Sequence, residues 1–188
     1  PRNRYPVQTY VIEENDMLIR EAILKEKSRD GQTFILFNNI EKMPELIKKY
    51  QKLVPEAKFC YAHGAMDKNE MQDIIYDFTQ KKYDCLISTT IIENGIDIPN
   101  ANTIIVINAD YLGLSSLYQI RGRVGRSDKI AYAYLMYKKD KLINSIAIKR
   151  LDAIKEFTEL GSGYKISMRD LAIRGAGDIL GKEQAGFI

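Results

Sequence analysis

Short apolar runs alternate with longer amphipathic stretches over most of the chain. Each run has the length of a single strand, and TFILFN is apolar almost throughout, which is typical of a strand covered on both faces. The runs predict strands over residues 7–12, 33–38, 58–62, 84–88, 103–108 and 131–137.

The stretches between the runs place their apolar residues at helical spacing. In the first stretch Leu18, Ala22 and Ile23 share one face, and we expect Gly31 to close the helix. Pro44 falls in the first turn of the second stretch, where a helix tolerates proline. The stretches predict helices over residues 15–30, 41–54, 71–82 and 114–124.

The order of these elements predicts the fold class. Asp67 and Glu70 form a D-x-x-E capping signal ahead of the third helix, which supports the helical reading there. Strands that alternate with helices at this spacing are typical of βαβ units, which build a parallel sheet with helices on both faces. We therefore expect an α/β domain over residues 1–138.

Residues 139–188 have a different character and are expected to form a separate appendage. A long helix is predicted over residues 140–160, and Gly161 and Gly163 close it. Four glycines interrupt the periodicity of the last 25 residues, which predicts a short helix and an ordered loop.

The composition of the chain limits which partners and cofactors we expect it to bind. The chain has 188 residues and a net charge of +3, so any nucleic-acid binding must come from local basic patches. Cys60 and Cys85 lie in apolar runs and are read as small buried hydrophobes in a reducing cytoplasm. His63 is the only histidine, which argues against a multi-histidine metal site, and no apolar run is long enough to span a membrane.

The octet QIRGRVGR at 119–126 concentrates positive charge on little side-chain bulk. On a helix, Gln119, Arg123 and Arg126 share one face, and Arg121 points away. The glycines between them permit a close approach by a nucleotide, and the planar arginine fork suits phosphate oxygens. This pattern favours a phosphate clamp, and a solvated basic turn is the alternative.

Polar loops also follow three successive strands. After residue 88, Thr89 and Thr90 offer hydroxyl and N–H groups to a phosphate, while Gly95 relaxes the turn and Asp97 is suited to fix an arginine or a ribose hydroxyl. Taken alone, that stretch would be more typical of an ordinary connection between strands.

The other two loops follow the second and third strands. Asn38 ends the strand over 33–38, and His63 and Gly64 lie between the third strand and the helix that follows it. A structural role is the alternative for His63. Because all three loops fall on one edge of a parallel sheet, they suit a nucleic-acid backbone better than a small metabolite.

These motifs resemble those of superfamily 2 helicases. QIRGRVGR matches the Q-x-x-G-R-x-G-R pattern of motif VI, STTIIENGIDIP resembles motif V, and FILFNN and HGAM resemble motifs IV and IVa in order and spacing. The tail over 150–188 resembles the translocation module shared by the RecG and transcription-repair coupling factor families. RGAG at 174–177, where RecG-type proteins usually have RGPG, favours the second family.

The resemblance implies a RecA-like lobe followed by a helical hairpin and a C-terminal hook. It implies that ATP and Mg²⁺ lie between this lobe and a first RecA-like lobe, which carries the P-loop lysine and a carboxylate pair. Neither feature is present here, so the chain alone is expected to be inactive. Arg123 and Arg126 would act as arginine fingers that Gln119 helps to position. Gly95 and Asp97 would line the ribose side.

The resemblance also implies roles in binding and coupling. Double-stranded DNA would be contacted through the strand-end loops, and the tail would couple lobe closure to movement. RNA polymerase and the excision-repair protein UvrA would bind through other domains, with no membrane partner. The implied DNA contacts are Asn38, His63, Gly64, Thr89 and Thr90, and the implied coupling residues are Arg169, Arg174 and Gln184.

Three interpretations stay open from the sequence. The chain is half of a motor that removes stalled RNA polymerase, half of a RecG-type fork-remodelling enzyme, or a stand-alone nucleic-acid-binding or nucleotide-binding module without ATPase chemistry. A P-loop and a carboxylate pair encoded upstream would distinguish the first two from the third, and an RNA-polymerase-binding module would distinguish the first from the second.

Overall fold

The computed structural model describes residues 7–89, 97–109 and 128–138, with Lys149 and Asp152. All six predicted strands are present, and so are the first three predicted helices. The predicted helix over 114–124 and most of the one over 140–160 lie outside the described residues. The elements are β1 Val7–Glu13, α1 Asp16–Ser28, β2 Gln32–Leu36, α2 Met43–Leu53, β3 Phe59–Ala62, α3 Lys68–Thr79, β4 Cys85–Ser88, β5 Ala101–Ile107 and β6 Ala131–Tyr137.

The six strands form one parallel sheet in the order β1-β6-β5-β2-β4-β3. α1 and α2 pack on one face with Ile35, Ile87 and Ile105. α3 packs on the other face, where it joins Phe34 and Leu86. The predicted α/β class, with helices on both faces of a parallel sheet, is thereby confirmed.

Two hydrophobic clusters, one on each face of the sheet, make up the core. The central strands are buried on both faces: all five residues of β2 and all seven of β5 are buried. This burial explains why FIL in β2 and IIVI in β5 are continuous apolar runs rather than alternating patterns. Tyr50, Phe34 and Phe78 are the largest fully buried side chains among the described residues.

Side-chain caps set the first residues of two helices. The Asn15 side-chain oxygen accepts from the N–H groups of Met17 at 2.9 Å and Leu18 at 3.2 Å, so α1 begins at Asp16. Asp67 does the same for α3 through Asn69 and Glu70, at 3.1 and 3.3 Å. The D-x-x-E signal is therefore confirmed as a cap, and the helix begins directly after Asp67.

The ends of α1 and α3 both turn through a left-handed residue that is not glycine. Asp30 has φ 62° and Lys81 has φ 66°. The next residue in each case returns an N–H to the helix: Gly31 N–H reaches Glu26 O at 3.0 Å, and Lys82 N–H reaches Asp77 O at 3.1 Å. The expectation that Gly31 closes α1 is therefore corrected by one position.

The backbone of Gly31 lies against a buried carboxylate, so this position favours a residue without a Cβ. A Cβ at this position would lie 2.1 Å from Glu26 Oε2. Glu26 is only 1% exposed, and its carboxylate accepts from Arg29 Nε at 3.0 Å, Arg29 Nη2 at 2.7 Å and Thr103 Oγ1 at 2.6 Å. These bonds satisfy the buried charge and raise the pKa of Arg29.

The Glu26–Arg29 pair also joins three elements of the sheet layer. Thr103 belongs to β5, and Arg29 Nη2 donates to the carbonyl of Ile130 at 3.0 Å, directly before β6. The Arg29 guanidinium and the Lys25 ammonium both lie over the Tyr132 ring, 5.0 and 4.1 Å from its centroid. The C-terminal turn of α1 is thus bonded to the starts of β5 and β6.

Both cysteines are free and buried, which confirms their reading as small hydrophobes. Burial raises the pKa of the Cys60 thiol to about 12 and that of Cys85 well above its usual value. In the part of the chain that is described, no helix has the length and apolar character needed to cross a membrane.

Candidate functional site

Strand register brings three polar loops side by side at the carboxyl edge of the sheet. Ser88 pairs with Leu36 on one side and with Ala62 on the other. The residues that follow these three positions therefore leave the sheet together. Neighbouring strands lie about 4.8 Å apart, so the three exits span about 10 Å. We call this set of loops the strand-end edge.

The first loop, after β2, leads directly into α2. Asn38 is exposed, and the Asn39 side-chain oxygen accepts from Lys42 N–H at 3.2 Å. The side chain of Lys42, the N-cap residue of α2, forms no capping hydrogen bond, and Pro44 lies in the first turn of the helix as predicted. The positive end of this helix therefore points toward the strand-end edge, which suits an anion.

The second loop, after β3, contains His63 and Gly64. The Nδ1 atom of His63 accepts from Ala65 N–H at 3.2 Å, and its ring stacks on Tyr61 with centroids 6.2 Å apart. With Nδ1 acting as an acceptor, neutral His63 carries its proton on Nε2 and has that nitrogen available as a donor. Gly64 is exposed beside it.

The third loop begins at Thr89, the next residue after β4. Thr89 is buried, with 5% exposure, and its carbonyl accepts from the Ser88 hydroxyl at 3.1 Å. Thr90 and Gly95 lie outside the described residues. Asp97 is exposed and lies shortly before β5. The structure therefore brings Asn38, His63, Gly64 and Thr89 to one edge, and their phosphate contacts stay predictions.

The remaining predicted site residues fall outside the described part of the chain. These are the QIRGRVGR residues Gln119, Arg123 and Arg126 and the tail residues Arg169, Arg174 and Gln184. In the chain the octet lies between β5 and β6. β5 ends at the same strand-end edge, because it is parallel to β2.

Two asparagines at this edge were not singled out from the sequence. Asn39 caps the turn before α2, and Asn108 adopts a left-handed conformation with φ 56° directly after β5. The side-chain oxygen of Asn108 is buried and has no hydrogen-bond partner among the described residues. Asparagine adopts the left-handed conformation more readily than most residues, and this preference is the one feature of the sequence from which the conformation of Asn108 could have been predicted.

Comparisons with known proteins agree with this architecture. The model of the helicase conserved C-terminal domain matches residues 13–128. The transcription-repair-coupling factor of Bacillus subtilis (strain 168) is 57% identical over 188 residues, which is 100% of this chain and 16% of that protein. This chain thus spans 16% of the length of such curated relatives.

Two solved structures are similar to this chain in fold. RecG bound to a three-way DNA junction has 35% identity and a TM-score of 0.75, covering 91% of this chain and 22% of RecG. The C-terminal domain of the DEAD-box protein Dbp5 has a TM-score of 0.58 at 16% identity, covering 81% of this chain and 85% of that domain, and supports the fold alone. The chain belongs to the helicase conserved C-terminal domain family, in the superfamily 2 branch that contains RecG and the transcription-repair-coupling factors.

Proposed function

We propose that the chain is the second motor lobe of an ATP-dependent double-stranded DNA translocase that displaces stalled RNA polymerase and couples transcription to nucleotide excision repair. The observation that carries this proposal is the 57% identity to the B. subtilis transcription-repair-coupling factor across all 188 residues. The match extends beyond the sheet, which supports a lobe over 1–138 followed by a translocation module over 139–188.

ATP and Mg²⁺ are proposed to bind between this lobe and a first RecA-like lobe of the same protein. When bound, the nucleotide supplies the phosphoryl group whose transfer drives movement. Arg123 and Arg126 stabilise the charge that develops on that group, and Gln119 orients them. Gly95 and Asp97 line the ribose side. Mg²⁺ is assigned to the first lobe with its P-loop lysine and carboxylates.

DNA is proposed to run along the strand-end edge. Asn38, His63, Gly64, Thr89 and Thr90 contact the backbone of one strand. The spacing of the loops and the available Nε2 donor of His63 support this role, because phosphate oxygens are acceptors at regular intervals. Contacts of this kind are indifferent to base sequence and depend strongly on salt.

The tail is proposed to couple the two events. Arg169, Arg174 and Gln184 return toward the nucleotide side, so that closure of the lobes moves the DNA. Contacts with RNA polymerase and UvrA are assigned to other domains of the full-length protein, and its location to the bacterial cytoplasm. The names of the relatives support this assignment.

A RecG-type fork-remodelling motor is the second candidate. The RecG structure supports it, with 35% identity and a TM-score of 0.75. The higher identity of 57% to a transcription-repair-coupling factor favours the first candidate. Release of a stalled RNA polymerase by the full-length protein would support the first, and reversal of a model fork without such release would support the second.

The motor proposal is tested by arginine substitutions in the full-length protein. Arg123→Ala and Arg126→Ala should each leave DNA affinity nearly unchanged and lower ATP turnover by roughly 10³-fold or more, the usual loss for an arginine finger. Arg121→Ala is the matched control and should have a milder effect. An equal, modest loss in all three variants would instead indicate a solvated basic turn.

A further inference from the structure

We propose that the outer face of α2 binds the phosphate backbone of duplex DNA beyond the strand-end edge. We call Lys42, Lys48 and Lys52 the α2 lysine stripe. The inference rests on the proposed function, since it needs a DNA-binding motor, and it adds a surface and a direction to the DNA path.

The stripe is exposed and lacks neutralising partners in the described structure. All three lysines are exposed, and none forms an ion pair with a described carboxylate. Lys49, on the same face, does pair with Asp16 at 3.3 Å. The three stripe ammonium groups therefore have the hydration and freedom that a phosphate contact requires.

Helical geometry places these charges on one side. At about 100° per residue, Glu45, Lys48, Lys49 and Lys52 occupy roughly a third of the circumference of α2, and Lys42 is the N-cap residue directly before it. Asp16 offsets the charge of Lys49, and the three stripe lysines outnumber Glu41 and Glu45, so this face stays positive. Like charges at Lys48 and Lys52 disfavour the isolated helix slightly, which a bound anion would relieve.

The stripe continues the strand-end edge rather than standing apart from it. Lys42 directly follows the loop of Asn38 and Asn39, and Asn39 caps its N–H. From Lys42 to Lys52 the helix rises about 15 Å, the length of roughly four phosphates of one strand of duplex DNA. Because α2 joins the parallel strands β2 and β3, it runs from the strand-end edge back along one face of the sheet, so a duplex that meets this edge at Lys42 can pass along the stripe.

The negative charge on the opposite face of the sheet also favours the α2 side for DNA binding. α3 and its cap carry Asp67, Glu70, Asp73 and Asp77 against one lysine, Lys68. This helix would repel phosphate, whereas α2 attracts it. Because α2 and α3 lie on opposite faces of the sheet, the charge difference selects the α2 side for the flanking duplex.

The test uses the full-length protein with Lys48→Ala and Lys52→Ala combined, and Lys68→Ala on α3 as the matched control. Alanine favours the helix, so folding is preserved, and an unchanged melting temperature confirms it. Affinity for a long duplex is measured from 0.05 to 0.3 M salt. We expect the slope of log K against log salt to become shallower by about 1.8, since each phosphate contact contributes about 0.9.

Turnover at saturating DNA should stay at the wild-type value, while the DNA concentration for half-maximal ATPase rises about tenfold or more at 0.1 M salt. A duplex trimmed to the shortest length that stimulates ATPase should show no difference between variant and wild type. Lys68→Ala should match wild type throughout.

Three results would overturn the inference: an unchanged salt slope, an equal effect of Lys68→Ala, or normal DNA affinity with lost binding to a protein partner. The last would assign the stripe to an acidic protein surface. Failure of the proposed function is a separate outcome, because the wild-type protein would then show no DNA-stimulated ATPase at all.

Discussion

The close contact between Gly31 and Glu26 makes Gly31→Ala an informative substitution. The added Cβ would lie 2.1 Å from Glu26 Oε2 and 2.7 Å from its Cδ, so the carboxylate must move. Movement breaks the bond from Arg29 Nε to Oε2, which is 3.0 Å long. One charge-assisted hydrogen bond contributes about 1.5–3 kcal/mol, and disruption of a whole buried ion pair costs about 3–5 kcal/mol.

We expect Gly31→Ala to lower the free energy of unfolding by about 2–3 kcal/mol. The lower part of the range applies because the Arg29 side chain is 27% exposed and retains water and the Ile130 carbonyl as partners. The measurement is equilibrium denaturation of the 188-residue chain in urea, followed by circular dichroism.

A double-mutant cycle with Glu26→Ala isolates the cause. Without the carboxylate the clash disappears, and the φ of Gly31 lies outside the left-handed region, so alanine fits the backbone. In the Glu26→Ala background, Gly31→Ala should therefore be neutral or stabilise by about 0.4–1 kcal/mol. An equal cost of Gly31→Ala in both backgrounds would refute the reasoning, because it would trace the loss to the backbone instead.

Other substitutions and measurements test separate features. Lys81→Gly should raise the free energy of unfolding by about 1 kcal/mol in urea denaturation, because Lys81 ends α3 at φ 66°, whereas Lys81→Ala should give no gain. Cys60 and Cys85 should resist a thiol reagent at pH 8 until the chain unfolds, since burial raises both pKa values and leaves little thiolate; fast labelling of the folded chain would contradict this. The isolated chain should not hydrolyse ATP, and DNA-stimulated turnover by a pure preparation would exclude the half-motor proposal.

The sequence predicts the central strands well because their burial is nearly complete. β2 and β5 are covered on both faces, so each contains a continuous apolar run, FIL and IIVI, that stands out from the amphipathic helices. The order of the strands in the sheet could not be predicted in this way. The pairing of Val7 with Ala131, for example, depends on contacts between distant residues that no local pattern encodes.

The sequence predicts the helix ends and the strand-end edge only in part. The sequence predicts that Gly31 closes α1, but the left-handed residue is Asp30, one position earlier, and Gly31 lies against Glu26 instead. The edge itself follows from parallel topology, so the positions of Asn38 and His63 were predictable. The capping by Asn39 was not, since a single asparagine in a polar loop gives no distinctive pattern.

The pairing of β1 with β6 has a consequence for synthesis. The first strand leaves the ribosome long before its partner exists, because Val7 must wait for Ala131. At 5–20 residues per second this delay is roughly 6 to 25 seconds. During that time β2, β3 and β4 can assemble, while Val7 and Val11 have no sheet to cover them. A nascent chain halted before Tyr137 would therefore present an unpaired β5 edge and a loose apolar strand, which are the features that chaperones bind and that neighbouring chains can capture.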